Sequence, residues 1–309
     1  MGKTWTTGNI PDLTGKNVIV TGANSGIGYE TAKELARKGA NTTLACRNFE
    51  LGQQARDTIH DEIPGAVVGV MPLDLADLNL IRAFNSAYHQ QYDRLDILIN
   101  NAGIMMGPYA ITVDGFERQF GTNHLGHFAL TGLLLDMLIA TPYARVVNVS
   151  SLGHRFGTMD FDNLMYLDGK DYMPARAYGR SKLANLLFTY ELQRRYDAND
   201  IPAVAVAAHP GISYTNLTGD MAGQWFLKLT TPLQKLWLQS AAMGALPSLR
   251  AATDPDVTGG QYYGPDGRRE QRGYPVVVRS SEASNNEDDA QKLWEISEAL
   301  TGIKFEQLS

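Results

Sequence analysis

Short runs of β-branched and small apolar residues alternate with helical patterns along the chain, and this alternation constrains the fold more than any other feature. Runs that are apolar almost without interruption predict strands buried on both faces, as in a parallel sheet with helices on each side. We place them at residues 17–20, 41–45, 67–71, 95–100, 145–149 and 203–208, with a seventh at 260–263. The sequence therefore predicts an α/β fold with a doubly wound parallel sheet.

Helical periodicity fills the connections between these strands. The predicted helices cover residues 27–38, 51–63, 78–92, 115–139, 178–196 and 288–300. No shift in composition and no Pro/Gly/Ser-rich linker divides the 309 residues, so we expect one domain over residues 1–309. Within it, residues 280–309 are expected to form a C-terminal tail and helix.

Residues 213–250 predict a helical substrate lid because they are rich in large apolar side chains such as Trp225 and Phe226. A lid of this composition closes over an apolar ligand and excludes water. The same side chains are compatible with a subunit interface or with docking on a membrane surface. The sequence leaves these alternatives open.

Charge and cysteine content exclude several classes of function. The 27 Lys and Arg against 33 Asp and Glu give a net charge of −6, so nucleic acid and anionic lipid are not expected partners. The single cysteine, Cys46, excludes an internal disulfide and a cysteine-based metal site, and no other metal cluster stands out. A reducing compartment, the cytoplasm, is expected. The longest apolar stretch, 128–140, is too short for a transmembrane segment and contains Asp136.

A glycine-rich turn, TGANSGIG at residues 21–28, follows the first predicted strand. Gly22 permits a sharp turn, Gly26 lets a phosphate approach the backbone, and Gly28 lets the next helix pack on the strand. The N-terminus of that helix favours a pyrophosphate. Glycine turns also occur for structural reasons alone, but the strand-turn-helix context predicts a dinucleotide site. Its expected contacts are Gly22, Asn24, Ser25, Gly26, Ile27 and Gly28.

The end of the second predicted strand indicates which dinucleotide binds. An acidic residue there would accept from the ribose 2′-hydroxyl and repel a 2′-phosphate. The sequence instead places Arg47 and Asn48 after Cys46, and a guanidinium binds phosphate through charge-assisted hydrogen bonds. We therefore predict NADP(H) with Arg47 and Asn48 as contacts. The alternative, an arginine that begins the next helix on a solvated face, stays open.

Two further turns are expected to line the same cleft. Asp74 and Leu75 follow the third strand, where the carboxylate can accept from the adenine amino group or, equally, cap the next helix. Asn101, Ala102 and Gly103 follow the fourth strand, where small residues admit the cofactor ribose. Asn101 is also an ordinary turn residue.

A serine pair, Ser150 and Ser151, follows the fifth strand, and Tyr178 stands four residues before Lys182 on the next helix. A phenol with a pKa near ~10 is a poor base at neutral pH, but a neighbouring ammonium and a cationic nicotinamide favour phenolate and lower that pKa. The pair therefore predicts an acid/base catalyst, with a surface pairing as the alternative.

In this order the motifs resemble the short-chain dehydrogenase/reductase superfamily, whose fold is the Rossmann fold. The resemblance covers about residues 13–265 and includes Thr-Gly-x3-Gly-Ile-Gly, Asn-Asn-Ala-Gly, the serine pair, Tyr-x3-Lys, and Pro210-Gly211 after the sixth strand. The sequences ACRN at residues 45–48, TNHLGHF at 122–128 and SKLAN at 181–185 resemble those of its retinol dehydrogenase-like and protochlorophyllide reductase-like branch. Light-dependent reductases carry a functional cysteine that Cys46 does not match, so the retinol dehydrogenase-like side is favoured.

The resemblance implies a catalytic tetrad. Ser151 would hydrogen-bond the substrate oxygen, and Tyr178 would act as the acid/base. Lys182 would hold the ribose hydroxyls and lower the tyrosine pKa, and Asn123 would anchor a proton-relay water through a distortion of its helix. Ser150 would then be structural.

The resemblance also implies a nicotinamide-binding loop after the sixth strand, in which Pro210 and Gly211 are cofactor contacts. Ile212 would supply a backbone group for the carboxamide, and Thr215 a hydroxyl for amide or phosphate. His209 is expected to be structural.

An insertion of 26 residues, 152–177, separates Ser151 from Tyr178. Its apolar side chains would wall a substrate pocket or pack against the sheet. These side chains are Phe156, Met159, Phe161, Leu164, Met165, Tyr166, Leu167 and Tyr172.

The sequence thus predicts an NADP-dependent oxidoreductase that transfers hydride between nicotinamide and a small apolar alcohol, aldehyde or ketone. The alternatives are a non-catalytic NADP(H)-sensing protein of the same fold and an enzyme acting on a sugar nucleotide. Family precedent implies a homo-oligomer, dimer or tetramer, with helices 115–139 and 178–196 as its interface.

Overall fold

Every predicted strand is present in the computed structural model, which describes residues 4–212 and 239–308. The strands are β1 (Asn17–Thr21), β2 (Asn41–Cys46), β3 (Val68–Pro72), β4 (Ile97–Asn100), β5 (Arg145–Val149), β6 (Val204–Ala208), β7 (Tyr262–Pro265) and β8 (Pro275–Val277). Within these residues they form one sheet in the order β3-β2-β1-β4-β5-β6-β7-β8. Pairing is parallel except between β7 and β8. The doubly wound prediction is confirmed, and β8 is an added antiparallel edge strand.

Helices cover both faces of this sheet. They are α1 (Gly26–Arg37), α2 (Phe49–Glu62), α3 (Leu78–Gln91), α4 (Arg118–Phe120), α5 (Gly126–Leu133), α6 (Leu135–Ala140), α7 (Pro174–Ala198), α8 (Ala241–Thr253) and α9 (Glu287–Thr301). Along β1, Val18 and Val20 face a core shared with α1, α2 and α8, whereas Ile19 faces the core of α3, α5, α7 and α9. This alternation gives each strand two buried faces.

The predicted continuous helix over residues 115–139 is wrong. Helical backbone begins at Arg118, because the Glu117 carboxylate accepts from the amides of Gln119 and Phe120 and caps α4. A π-helical segment, Gly121–Leu125, follows before α5, and Leu134 leaves helical geometry at φ −97° and ψ 6° before α6. Such π-helical turns are frequent at functional sites.

Of the predicted lid at 213–250, residues 213–238, which include Thr215, Trp225 and Phe226, lie outside the described residues. Residues 241–250 belong to α8, which packs against α1 and buries Leu246 and Leu249 in the core of the sheet. That portion of the predicted lid therefore covers the sheet. No helix in the described ranges combines the length and apolarity needed to cross a membrane.

The helices predicted to form the oligomer interface are covered by the chain's own C-terminal segment. The Trp294 ring of α9 lies 5.3 Å from that of Phe128 on α5 and 5.8 Å from that of Phe188 on α7. None of residues 177–192 is exposed, and neither is any residue of α5. The predicted helix-pair interface is therefore wrong, because no open face is left there. A homo-oligomer stays a prediction and would use another surface.

Candidate active site

The glycine-rich turn forms a tight connection between β1 and α1. Gly22 has φ +67°, a conformation that side chains disfavour. A Cβ on Gly28 would overlap the Gly22 carbonyl oxygen and the Asn101 side-chain amide, so only glycine lets α1 begin this close to β1. Ser25, the N-cap of α1, makes no side-chain capping hydrogen bond. The turn and the helix N-terminus together offer an anion site.

A cavity of about 410 Å³ opens at the carboxyl ends of β1–β5 and extends from this turn to α7. Most of the residues predicted as cofactor contacts line it: Gly22, Asn24, Ser25, Gly26, Ile27, Gly28, Arg47, Asn48, Asp74, Leu75, Asn101, Ala102, Gly103, Tyr178, Lys182 and Pro210. Its wall also contains residues that the sequence patterns did not single out as contacts: Ala45, Leu51, Leu73, Ile104, Thr122, Val149 and Ser150. The glycine-rich turn, the N-terminus of α1 and a cavity that extends from them to α7 together fit a dinucleotide.

At the outer end of the cavity, Arg47 and Asn48 are exposed at the end of β2. The Asn48 side chain accepts from the Leu51 amide at 2.9 Å and caps α2, so its oxygen has a structural role. Asp74 accepts from the Ala76 amide at 3.0 Å, and Asp77 is the cap of α3. The capping alternative for Asp74 is therefore wrong, and its carboxylate remains at the cavity wall.

Thr21 connects the glycine turn to β4. Its hydroxyl oxygen accepts from the amides of Asn101 and Ala102, both at 2.9 Å, while the Asn101 side chain donates to the Thr21 carbonyl at 2.8 Å. The Thr21 hydroxyl also lies 2.9 Å from Nε2 of His127, whose Nδ1 lies 3.0 Å from the Asn123 carbonyl oxygen. These hydrogen bonds join the glycine turn and the end of β4 to the segment that contains Asn123, and the Asn101 side chain ties β4 to β1.

Tyr178, Ser151 and Lys182 lie together at the inner end. Ser151 Oγ accepts from the Gly153 amide at 3.1 Å, and the Tyr178 ring lies against the same glycine. Lys182 is buried, donates from Nζ to the Val149 carbonyl at 2.9 Å, and has Nζ 5.9 Å from the centre of the Tyr178 ring. Ser150 is buried and donates to the Lys182 carbonyl at 2.8 Å, as expected of a structural residue.

Burial dominates the electrostatics of this group. It raises the pKa of the Tyr178 phenol, against a smaller lowering from the Ser151 hydrogen bond, and it lowers the pKa of Lys182 to about 8. Burial thus sets the direction of the Tyr178 pKa in this structure, and the expected lowering by Lys182 together with a cationic nicotinamide stays a prediction. Removing both groups from water disfavours their charged forms more than their proximity favours an ion pair. The phenol is therefore protonated and able to donate.

Asn123 lies in the π-helical segment, so the expected helix distortion is present. Its side chain accepts from the Ile104 amide at 2.8 Å and donates to the Ile104 carbonyl at 3.0 Å and to the Ser181 hydroxyl at 2.9 Å. A Cβ on Gly103 would lie 3.3 Å from both Asn123 Oδ1 and Lys182 Nζ. The lack of a side chain at Gly103 leaves these two polar atoms facing a common space.

The loop after β6 differs from its expected form. Pro210 lines the cavity, but the Ile212 amide, which the resemblance assigns to the carboxamide, donates to the Gln271 carbonyl at 2.8 Å. Gly211 has φ +66° and donates to Nδ1 of His209 at 3.2 Å. Both backbone donors of the loop are thus occupied by the protein.

Part of the insertion at 152–177 packs into the core of the protein, whereas Leu167 and Phe156 are exposed. Leu164 is buried, and Met159, Phe161 and Met165 pack against a cluster formed with α4, α7 and α9. Burial of these side chains follows the packing alternative, although their partners are helices instead of the sheet. Phe156 is exposed, and its ring and that of Tyr178 both lie against Gly153.

Comparisons with known proteins agree with this geometry. A family model described as short chain dehydrogenase matches residues 16–166. Retinol dehydrogenase 12 of Mus musculus is 43% identical over 296 residues, which cover 95% of this chain and 89% of that protein. Retinol dehydrogenase 13 of Homo sapiens is 42% identical over 298 residues, covering 94% and 86%.

Among solved structures, an uncharacterized protein from Mycobacterium Paratuberculosis superposes with a TM-score of 0.82 at 42% identity, covering 98% of this chain and 99% of that one. A Pseudomonas aeruginosa RhlG/NADP complex, at 22% identity and a TM-score of 0.62 over 81% of this chain and 94% of that one, shares the fold. Identity above 40% over nearly the whole chain places the protein in its family. It belongs to the retinol dehydrogenase-like branch of the short-chain dehydrogenase/reductase superfamily, oxidoreductases that use a nicotinamide dinucleotide.

Proposed function

We propose that this protein is an NADP(H)-dependent oxidoreductase that interconverts an apolar aldehyde or ketone and its alcohol, with Tyr178 as the acid/base. The observation that carries the proposal is the position of Tyr178 in the wall of the dinucleotide cavity, beside the buried Lys182 and against the helical turn that Ser151 caps. A neutral phenol is the form that donates a proton, so the groups are arranged for carbonyl reduction.

When bound, the reduced nicotinamide supplies the hydride for the carbonyl carbon. Ser151 and Tyr178 then donate hydrogen bonds to the carbonyl oxygen and stabilise the negative charge that develops on it. Tyr178 gives its proton to that oxygen, which completes the alcohol. Lys182, whose pKa of about 8 lies near neutrality, returns a proton toward Tyr178, and Asn123 lines the space through which it is resupplied. Alcohol oxidation is the reverse.

The preference for NADP(H) rests on Arg47. Its guanidinium lies exposed at the cavity wall where β2 ends, and Cys46 occupies the strand end where an acidic residue would select NAD. A free guanidinium at that place can hold a 2′-phosphate with paired hydrogen bonds.

An apolar substrate is supported by exposed apolar side chains on loops at the carboxyl edge of the sheet. Met106, Phe156 and Ile212 are exposed large apolar residues on three loops that continue from β4, β5 and β6. Relatives at 40–43% identity carry the name retinol dehydrogenase, which makes a retinoid alcohol or aldehyde the first substrate to try. A cytoplasmic location belongs to the same proposal and is supported by the free, buried thiol of Cys46.

The test measures turnover of retinal, medium-chain aldehydes and ketones with NADPH or NADH. Turnover is monitored through the loss of absorbance of the reduced nicotinamide. We expect reduction of the large apolar carbonyls with NADPH. The control is Tyr178→Phe, which keeps the ring but removes the proton. Tight NADPH binding without turnover of any carbonyl would instead favour the sensing protein, and equal use of NADH would refute the cofactor assignment.

A further inference from the structure

The connection between β7 and β8, residues 266–274, packs against the loop after β6, and we call it the hairpin loop. Besides the Ile212–Gln271 bond, it is joined to that loop through Gln239. The Gln239 side chain donates to the Pro210 carbonyl and accepts from the Gly273 amide at 3.2 Å, while its own amide donates to the Ile212 carbonyl at 3.2 Å. The hairpin loop is thus joined to residues 209–212 directly at Ile212 and, through Gln239, at Pro210 and Ile212.

Glu270 is the charged group in this contact. Its Oε2 lies 3.1 Å from Nε2 of His209, and its Oε1 accepts from the Arg155 guanidinium at 2.9 Å. Because Nδ1 of His209 accepts from the Gly211 amide, the imidazole proton is on Nε2 and is donated to Glu270. Arg155 belongs to the short helical turn Leu152–Phe156 that Ser151 caps. One carboxylate therefore joins the loop after β6 to the turn that carries Ser151.

Three observations indicate that Glu270 is held in place. His209 is fully buried, whereas the Glu270 side chain is 24% exposed, so the histidine presents one fixed donor to a carboxylate at the surface. The His209 hydrogen bond holds the pKa of Glu270 below its usual value, and the carboxylate is ionised at neutral pH. Arg269 and Glu270 both have positive φ, 56° and 57°. Such backbone persists in a side-chain-bearing residue only when its surroundings enforce it.

We propose that Glu270 is a positioning residue for the nicotinamide end of the cofactor. It fixes the His209 ring, which fixes the Gly211 amide and the path of the loop past Pro210. Through Arg155 it also sets that loop relative to the turn of Ser151. The loop after β6 and the turn that Ser151 caps after β5 are thereby held in a fixed position relative to each other. The inference rests on the proposed placement of nicotinamide beside Pro210.

The experiment compares Glu270→Ala and Glu270→Gln with Glu282→Ala, an exposed carboxylate on another short helical turn. Dissociation constants are measured by fluorescence titration for NADPH and NADH, and by competition for ADP-ribose and its 2′-phosphate, which lack nicotinamide. We expect Glu270→Ala to weaken the preferred reduced dinucleotide by about tenfold and to leave the nicotinamide-free nucleotides unchanged. Glu270→Gln keeps an acceptor for His209 and should recover most of the loss. Glu282→Ala should match wild type.

Equal weakening of nucleotides with and without nicotinamide would overturn the inference, because a general loss of structure does not distinguish the two ends of the cofactor. So would no change in Glu270→Ala, or the same loss in Glu282→Ala. Should Glu270→Ala not fold, Arg155→Ala removes only the exposed partner, and we expect about a threefold loss with the same selectivity; an unselective loss or none counts against the inference. The titrations need no turnover, so an absence of carbonyl reduction would refute the proposed reaction without deciding this test.

Discussion

The two ends of the cofactor cavity are built in different ways. At the outer end, Arg47 and Asn48 are exposed, and the hydrogen bonds that shape the turns are local, since Asn48 bonds Leu51 and Asp74 bonds Ala76. At the inner end, Tyr178 and Lys182 are buried, and their supports come from far along the chain. Lys182 donates to a carbonyl 33 residues away, and Asn123 reaches a hydroxyl 58 residues away.

This difference separates recognition from chemistry. Exposed groups on local turns can be exchanged with little effect on the fold, which suits a contact that selects between two dinucleotides. Buried polar groups cost folding free energy, and they persist here where desolvation changes the pKa of the proposed acid/base, Tyr178, and of Lys182. The comparison predicts that substitutions at the inner end lower kcat, and that substitutions at the outer end reduce the preference for NADPH over NADH.

The largest effect is expected for Tyr178→Phe. The phenyl ring keeps the packing, but the transferable proton is lost, and general acid catalysis typically contributes about 10²–10⁴-fold. We expect kcat to fall by that amount while the dissociation constant of NADPH stays within about twofold, because shape survives. Steady-state kinetics and a fluorescence titration measure the two quantities. A variant with near wild-type turnover would break the comparison at its inner end.

A smaller loss is expected for Ser151→Ala. Removal of one donor to a developing oxyanion costs about 10²–10³ in kcat, and Ser151 is the serine to which the resemblance assigns the substrate contact. Ser150→Ala is the matched control, because the Ser150 hydroxyl donates to the Lys182 carbonyl. We expect Ser150→Ala to lower the Tm and to leave kcat within about twofold of wild type. The reverse ranking would assign the substrate contact to Ser150.

The strands and the glycine turn could be predicted because both depend on local pattern. Runs such as Asn17–Thr21 are buried on both faces, so every residue in them is constrained in the same way, and Gly28 is required by a contact only six residues away at Gly22. Tyr178 and Lys182 are indicated by their spacing on one helix, whereas Asn123 comes from family resemblance. The structure places Tyr178 and Lys182 at one end of the cavity and Asn123 Oδ1 beside Gly103 in its wall. β8, which is three residues long, is too short to give a periodic signal.

The features that could not be predicted depend on how deeply side chains are buried and on contacts between residues far apart in the sequence. The Tyr178–Lys182 spacing indicates a shared helix face but not how completely that face is buried, and burial is the largest influence on the pKa of Tyr178. The break of the predicted 115–139 helix follows from the Glu117 cap and the Asn123 contacts with Ile104 and Ser181. The bond between His209 and Glu270 joins residues 61 apart and has no local signature.

The outer end should respond to Arg47→Ala by losing selectivity. Hydrogen bonds to charged groups contribute ~1.5–3 kcal/mol, so NADPH should bind about ten- to a hundredfold more weakly, with NADH nearly unaffected and kcat at saturation unchanged. Arg47→Asp should go further, because a carboxylate repels the 2′-phosphate and can accept from the NADH ribose. Titrations of both dinucleotides at fixed ionic strength measure this. Equal losses for NADPH and NADH would remove the distinction between the two ends.

The smallest expected effect is on thermal stability. Lys182→Met changes the inner end of the cavity and Arg47→Ala changes the outer end, so the two variants compare the ends directly. The pKa of Lys182 falls from 10.5 to about 8 on burial, so below pH 8 the folded state carries a buried charge that the unfolded state keeps in water. Between pH 8 and 10.5 the folded state releases its proton first, the free energy of unfolding rises, and the penalty disappears. Methionine avoids the charge, and the Val149 carbonyl keeps Asn185 as a donor at 3.2 Å.

Lys182→Met should therefore raise the Tm of the cofactor-free protein by a few degrees at pH 7, and the gain should shrink toward pH 10. Arg47→Ala should leave the Tm unchanged over the same range, since the exposed guanidinium loses no hydration on folding. Thermal melts of both variants and wild type across pH 6–10 check this. A destabilised Lys182→Met at every pH would mean that the lysine's hydrogen bond outweighs its desolvation, and the inner end would then owe its burial to stability as well as to chemistry.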